Sequence, residues 1–363
     1  MIRVLHLISH DADFQTQRAI GQLVAGLGDG FSCRVRRIGP GGDLRGLPAA
    51  VVALRRRSEQ DLIHAWSLPA LAAAVLAGTP KVAFTPPAEM AAGAVRWLAA
   101  ILACRPDVHI IVSSATRHRQ LVTRGIDLNR CHLIRPGIEF SRLRRRPDVE
   151  LRRRLRLEET DIALLAAGET TAAASHADAV WASAILHTLD RRFKLLLWGQ
   201  GWATERTLRF ARRLHAMDMV RVARDELRQA VEFDQLLPAS NLVLNTSVGA
   251  TATLPLCMAM GAAMPIVSTV THSVAELLED RHTAILVPPR APRQMAQRLL
   301  ALHEDAALQW RLGDMARTEA YEYFSLTRFL GQHRAFYQQF LEGRPIEIPQ
   351  QKPGAGLRFH GRA

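Results

Sequence analysis

Lysine is almost missing from this chain: Lys81, Lys194 and Lys352 stand among 47 basic residues, so the net charge of +13 is carried by arginine. Arginine in place of lysine is what GC-rich coding produces. The charge alone therefore argues only for attraction to anions such as phosphates or acidic lipid headgroups. No RNA- or DNA-binding motif accompanies it, and nucleic acid is not favoured as a partner. Cysteine is sparse as well: Cys33, Cys104, Cys131 and Cys257 form no CxxC pair, which excludes a zinc ribbon or a dithiol redox motif. A reduced, cytoplasmic setting is expected. Long apolar runs are absent. The longest, Leu68 to Gly78, is about half of the roughly 20 residues a membrane span needs. The N-terminal MIRVLHLIS runs directly into a strand pattern, with no signal-peptide layout. The first strand–helix turn, Ser9-His10-Asp11-Ala12-Asp13-Phe14, has no GxGxxG, which argues against a dinucleotide dehydrogenase. A GxxxxGK[ST] phosphate loop is also missing, and no His/Asp/Glu cluster has metal-ligand spacing, so no metal is expected.

What is present is globular. The chain has 363 residues, 48% hydrophobic and 22% charged, a length that suits two domains. Short apolar runs at Val4–Ile8, Arg34–Ile38, Leu62–Ala65, Val82–Thr85, Ile110–Ser113 and Cys131–Ile134 read as strands. Helical patterns lie between them at 15–28, 69–78, 88–103 and 115–124. A second set follows at Ile162–Ala167, Phe193–Trp198, Met219–Ala223, Leu242–Asn245, Ile266–Ser268 and Ile285–Val287. Helices are expected there at 177–189, 203–216, 252–262, 273–279, 292–303 and 305–321, with a last one at 326–341. Such alternation argues for α/β architecture with parallel sheets covered on both faces. The expected division is 1–140 for a first Rossmann-like domain, 141–160 for an Arg-rich linker and helix, and 161–322 for a second Rossmann-like domain. A C-terminal helix at 323–342 is expected to return to the first domain, followed by a disordered tail at 343–363. Arg142–Arg156 holds eight arginines. It reads first as a solvated face, and second as a docking patch for an anionic membrane surface, giving peripheral attachment at the inner membrane.

Several segments together resemble the family 4 glycosyltransferases of the GT-B fold, over about residues 1–342. Asp61-Leu62-Ile63-His64-Ala65-Trp66 is similar to that family's D-hydrophobic-hydrophobic-H strand end, and Val112-Ser113-Ser114-Ala115 to its hydrophobic-S-x-A strand. Leu133–Glu139 is similar to the interdomain PGID segment, and Leu196–Gly201 to the hydrophobic-G-x-G turn. Leu254–Ser268 resembles the donor-site helix and following strand, and Ser273–Val287 the closing E…hydrophobic-V unit. The resemblance implies two Rossmann-like α/β/α domains facing each other across a cleft. It also implies a nucleotide-sugar or nucleoside diphosphate as ligand, transfer to an unknown acceptor, and no cofactor or metal, because side chains neutralise the diphosphate.

The residues that should carry this chemistry are largely replaced. Counting back from Pro265, the two sugar-binding glutamates fall on Ala250 and Met258. Gly168 remains after the first strand of the second domain, but the Arg position holds Glu169 and the Lys position Ala174. In the first domain the T-x-H histidine falls on Pro87, and the glycine-rich acceptor loop is replaced by Asp11–Gln17. A hydrogen bond to a charged group contributes about 1.5–3 kcal/mol. Losing four would cost on the order of 5 kcal/mol, with each 1.36 kcal/mol about tenfold in rate. The remaining donor-binding candidates are Gly168, Glu169, Gly199, Asn245, Ser247, Gly249, Thr251, Thr253 and Glu276. Thr251 and Thr253 read equally as helix caps, Glu276 as a structural hydrogen-bonding group, and His64 and His176 as polar groups at strand ends. The catalytic residue stays open. Three functions compete: a glycosyltransferase, a pseudo-glycosyltransferase that binds or regulates without turnover, and a basic nucleic-acid or membrane-surface binder.

Overall fold

The strands of the N-terminal half are Ile2–Ser9 (β1), Phe31–Ile38 (β2), Leu62–Ala65 (β3), Val82–Phe84 (β4), Val108–Val112 (β5) and Cys131–Leu133 (β6). They form one parallel sheet in the order β2-β1-β3-β4-β5-β6. Period-2 alternation divides their side chains between two cores. Leu5, Leu7, Ile63, Ala65, Phe84 and Ile110 enter one. Val4, Ile8, Leu62, Trp66 and Ala83 enter the other. The helices are Phe14–Gly26 (α1), Leu47–Arg56 (α2), Leu68–Leu76 (α3), Ala92–Cys104 (α4) and Ala115–Val122 (α5). Their starts are capped as the sequence dictates: Asp13 accepts from the Thr16 amide at 2.7 Å, Ser67 from Ala70 and Ser114 from Arg117. The computed structural model describes residues 1–56, 59–88, 90, 92–143 and 147–348.

The second half contributes Val149–Arg154 (α6), Ile162–Ala166 (β7), His176–Leu189 (α7), Phe193–Leu197 (β8), Thr204–Arg213 (α8), Val220–Val222 (β9) and Ala223–Leu227 (α9). Then come Leu242–Asn245 (β10), Leu254–Gly261 (α10), Ile266–Thr269 (β11), Ile285–Val287 (β12), Pro292–Glu304 (α11), Ala306–Tyr323 (α12) and Leu326–Glu342 (α13). Its parallel sheet runs β12-β11-β10-β7-β8-β9. In local numbering this is the 3-2-1-4-5-6 order of a Rossmann sheet, with its switch point between β7 and β10. The chain divides into two units, 1–137 with 326–363, and 138–325. The terminal helix α13 thus belongs to the first unit, where Phe329, Phe336, Tyr337 and Phe340 join the core beside Val4 and Leu62.

Some elements differ from the sequence reading. Helix α2 was not expected, since its Leu-Pro-Ala-Ala-Val-Val run follows the glycine-rich stretch 39–46 and carries no cap signal. The segment 273–279, read as a helix, is a set of turns. Ala275 bonds back to Thr271, but Leu277 and Leu278 both close on Val274, so the turn is not propagated. In the Arg-rich segment, Arg152 is buried and donates to the carbonyls of Ala239, Glu158 and Asp161, so it is an anchor rather than part of a solvated face. Arg142 pairs with Glu232 and Asp234, Arg153 with Glu150 and Arg156 with Glu226. Arg144–Arg146 lie outside the described residues. Of the expected disordered tail, 349–363 also lies outside them. Residues 343–348 are fixed instead, the Glu347 amide donating to Gln339 Oε1 at 2.7 Å. Among the described residues, no helix is long and apolar enough to cross a membrane.

Candidate donor site

The carboxyl ends of β7 and β10 bring together most of the donor-site candidates. Gly168 turns the chain out of β7 in the left-handed region, φ +81°, and a Cβ there would lie 3.5 Å from Pro255 at the start of α10. The loops after β7, β8 and β10 are tied into one floor. The Thr170 amide donates to Gln200 O at 2.7 Å, and Ala203 N donates back to Thr170 O at 3.0 Å. Gly201 packs so closely on the Thr170 backbone that no side chain fits. Thr246 Oγ1 donates to the carbonyls of Ala174 and Ser175, and Val248 N to Ala173 O. A Cβ built on Gly249 would lie 3.4 Å from the Ala173 Cβ, in van der Waals contact. Gly199 is closed in by Val222 and Arg224.

Asn245 and Ser247 are turned inward. Asn245 Nδ2 donates to Ser247 Oγ at 3.0 Å and to Ser268 Oγ at 2.9 Å; Ser268 Oγ donates to Thr269 O, and Thr269 Oγ1 donates to Ser247 O at 2.6 Å. This closed network joins the ends of β10 and β11. His176 is buried and structural. Its Nε2 faces the Ala167 carbonyl, which only accepts, so Nε2 carries the proton and Nδ1 accepts from Thr170 Oγ1 at 2.9 Å. Burial pushes its pKa down to about 4, keeping it neutral. Ser175, at the start of α7, adopts φ +49° and donates to Asp178.

The positions at which the resemblance calls for charged groups divide in two. Ala250 is exposed on the loop before α10, and Glu169 is half-buried. Ala174 and Met258 are buried at 4% and 1% exposure, Met258 inside a helix of which every residue is buried. Thr251 is half-buried, Thr253 and Glu276 are buried. Pro255 at the start of α10 has no N–H, leaving fewer free amides for an anion there. The loops 168–176, 199–203, 245–253 and 269–276 contain no arginine or lysine, but do contain Glu169 and Glu276. The cation that the structure adds is Arg224, whose Cβ lies 3.1 Å from a Cβ built on Gly199 and which pairs with Asp225. Nothing in the sequence marks it among the other arginines. Among the described residues, no group of three His, Cys, Asp or Glu is placed to hold a metal ion.

The first-unit positions gather separately. Pro87 lines an open pocket of about 520 Å³ with Asp13, Trp66, Thr85, Ser113 and His333. Its carbonyl accepts from Arg117 Nη2 at 2.9 Å. His64 is a fully buried polar group near the end of β3, bonded to Thr85 Oγ1 at 2.8 Å and Tyr337 Oη at 2.7 Å.

Two parallel α/β units of six strands each, covered by helices, are the GT-B class of fold. Solved structures agree at low sequence identity. HepE from Anabaena in complex with UDP and glucose superposes with a TM-score of 0.75 at 15% identity, over 93% of this chain and 100% of that one. Sucrose-phosphate synthase from Thermosynechococcus elongatus gives 0.76 at 17%, over 94% and 100%. A glycosyltransferase from Rickettsia africae gives 0.74 at 14%, over 94% and 99%. No curated protein sequence matches the chain. Residues 163–305, within the second unit, match the family model described as glycosyl transferases group 1.

Proposed function

We propose that the chain is a glycosyltransferase-type protein that binds a nucleotide-sugar on the second unit, with weak affinity and slow transfer. One observation carries the reading: the family match at 163–305 spans the β7 and β10 loops that build the floor at the switch point. The solved neighbour HepE is described in complexes with UDP and with UDP-glucose, which supports a uridine nucleotide as the first ligand to try. Weakness follows from charge. A diphosphate would meet the Glu169 carboxylate and no arginine or lysine from those four loops, and like charge in a partly desolvated site raises the cost. Arg224 beside Gly199 is the residue assigned to partial neutralisation. The proposal includes metal independence, and cytoplasmic location without membrane insertion. Calorimetry against UDP, GDP and ADP and their common sugar conjugates tests it, with donor hydrolysis followed in parallel. Binding of one nucleotide, unchanged in EDTA, with little hydrolysis is the expected result. Micromolar affinity with brisk turnover overturns the weak-site reading, and no binding of any nucleotide overturns the whole proposal. Binding without any transfer or hydrolysis identifies the non-catalytic form of the same protein.

A further inference from the structure

Helix α7 lies at the surface of the second unit without a charged outer face. From Ala179 to Leu189 it contains no Asp, Glu, Lys or Arg. Its inner side, with Val180 and Leu186, packs in the core over the sheet. Its outer side leaves Trp181 46% and Leu189 68% exposed, with Ala177, Ala184 and Ile185 half-buried beside them. Ala177, Trp181 and Ile185 are four residues apart and form one stripe. The polar groups of the helix are turned away from that stripe. His187 is buried against the Phe193 carbonyl and Asp218, and Asp178 in the first turn accepts from Ser175. A helix that is apolar on both sides is normally enclosed, and this one keeps a side open to solvent.

The two helices that pack against α7 supply the opposite chemistry. α8 and α11 both touch it, and Leu208 of α8 and Leu299 of α11 enter the same core. The outer sides of the three helices therefore form one surface. On α8, Arg206, Arg209 and Arg213 are exposed at i, i+3 and i+7, along one line of the helix. Arg212 is satisfied by Glu205 at 3.0 Å, whereas these three form no ion pair among the described residues. α11 adds Arg293 and Arg298, which are also exposed and also form no ion pair among the described residues. An uncharged stripe thus runs between two helices that carry arginine.

We propose that the α8–α7–α11 face of the second unit docks on a bilayer surface that contains anionic phospholipid. Trp181 and Leu189 would sit at the boundary between headgroups and acyl chains, and the arginines of α8 and α11 on the phosphates. Charge complementarity selects this occupant. A second copy of the chain would set arginine against arginine. Nucleic acid would satisfy the arginines but leave Ile185 and Leu189 against a polar backbone. A lipid surface meets both needs, since an arginine stem can lie along apolar surface while its guanidinium takes a phosphate. In the Arg142–Arg156 segment, by contrast, Arg142, Arg153 and Arg156 are already paired with acids. Docking on this face does not depend on the nucleotide reading, and its test contains no nucleotide.

The test sediments the full chain with vesicles of phosphatidylcholine alone and of phosphatidylcholine with about one third phosphatidylglycerol, at low and at high salt. Binding to the anionic vesicles is expected to be at least about tenfold tighter than to the neutral ones, and to fall as salt rises. Replacing Arg206, Arg209 and Arg213 together by Gln should weaken it about tenfold. Replacing Arg153, Arg154 and Arg156 by Gln removes the same charge from another surface and should weaken it less than about twofold. Trp181→Gln should weaken it severalfold, and Trp181→Phe should lose part of the tryptophan quenching caused by brominated acyl chains. Each variant is first shown to melt as wild type does, since every changed side chain is exposed. No binding to either vesicle, equal binding to both, equal loss in the two arginine triples, or full binding by Trp181→Gln would each refute the proposal. Tighter binding to duplex DNA than to the anionic vesicles would assign the face to nucleic acid instead.

Discussion

Glu169 and Ala174 occupy the two positions where the family resemblance calls for cations, and the structure separates their fates. Glu169 is half-buried at the rim of the β7 loop, where a longer cationic side chain can reach outward. Ala174 is 4% exposed, and its carbonyl is held by Thr246. A lysine there would have to bury its ammonium or break that contact. Glu169→Arg alone is therefore expected to tighten UDP binding by at least about tenfold, roughly 1.4 kcal/mol. Ala174→Lys should lower the melting temperature without comparable gain in affinity. Calorimetry on both variants decides. An Ala174→Lys protein that is as stable as wild type and binds UDP more tightly would show that this loop opens in a way its hydrogen bonds do not suggest. The residue types were legible in the sequence, and so were the absent charges. The inward turn of Asn245 and Ser247 was not, because a polar side chain at a strand end reads the same whether it faces a ligand or a neighbouring strand.

At the scale of elements, the strong periodic segments were legible and the weak ones were not. β10 and β12 fall on the expected residues, because short apolar runs between turn residues have few alternative readings. The pattern at 273–279 suits a helix and that at Leu47–Arg56 carries no cap signal, yet the first is a set of turns and the second is α2, since local pattern cannot report whether a turn is continued by packing. α10 shows what this means for the site. Pattern marks it only as a helix and the family resemblance as the donor helix, yet every residue from Leu254 to Gly261 is buried, with Met258 at 1% exposure. The glutamate that the resemblance calls for at Met258 would fall inside a fully buried helix. Met258→Glu is expected to destabilise the protein by about 3 kcal/mol or more, through an unpaired buried carboxylate. Met258→Leu should cost less than about 1.5 kcal/mol. Ala250→Glu, on the exposed loop, should be neutral. Chemical denaturation of the three variants measures this. A fully stable Met258→Glu that gains affinity for the sugar-linked nucleotide would mean that α10 is displaced when donor binds.

For the whole molecule, the two units differ in how they carry histidine. Among the described residues the first holds five neutral imidazoles, those of His6, His64, His132 and His333 buried and that of His109 partly so. Burial lowers His6 and His132 to about 3, His109 and His333 to about 4, and His64 well below its ordinary value. In the second unit only His176 is lowered as far, to about 4, with His303 lowered by a smaller amount. A histidine whose folded pKa lies below its unfolded value of about 6.5 binds its proton preferentially in the unfolded chain. Stability is then full above pH 6.5 and is lost as pH falls from there toward the folded pKa. At pH 5.5 an unfolded imidazole holds about 0.9 proton, so even three of the five give a slope of about 3–4 kcal/mol per pH unit. The depressed carboxylates, such as Asp61 and Asp107 beside their arginines, act at lower pH and leave this window to the histidines. Acidification from pH 7 to 5 should therefore unfold the first unit before the second. Scanning calorimetry is expected to show one endotherm splitting into two. Hydrogen exchange at pH 5 should reveal early loss of protection in β1, β3 and α13, while β7 and β10 stay protected. A single transition that moves as a whole, or earlier loss in the β7 sheet, would show that these imidazoles are hydrated or paired in ways that let them charge without unfolding.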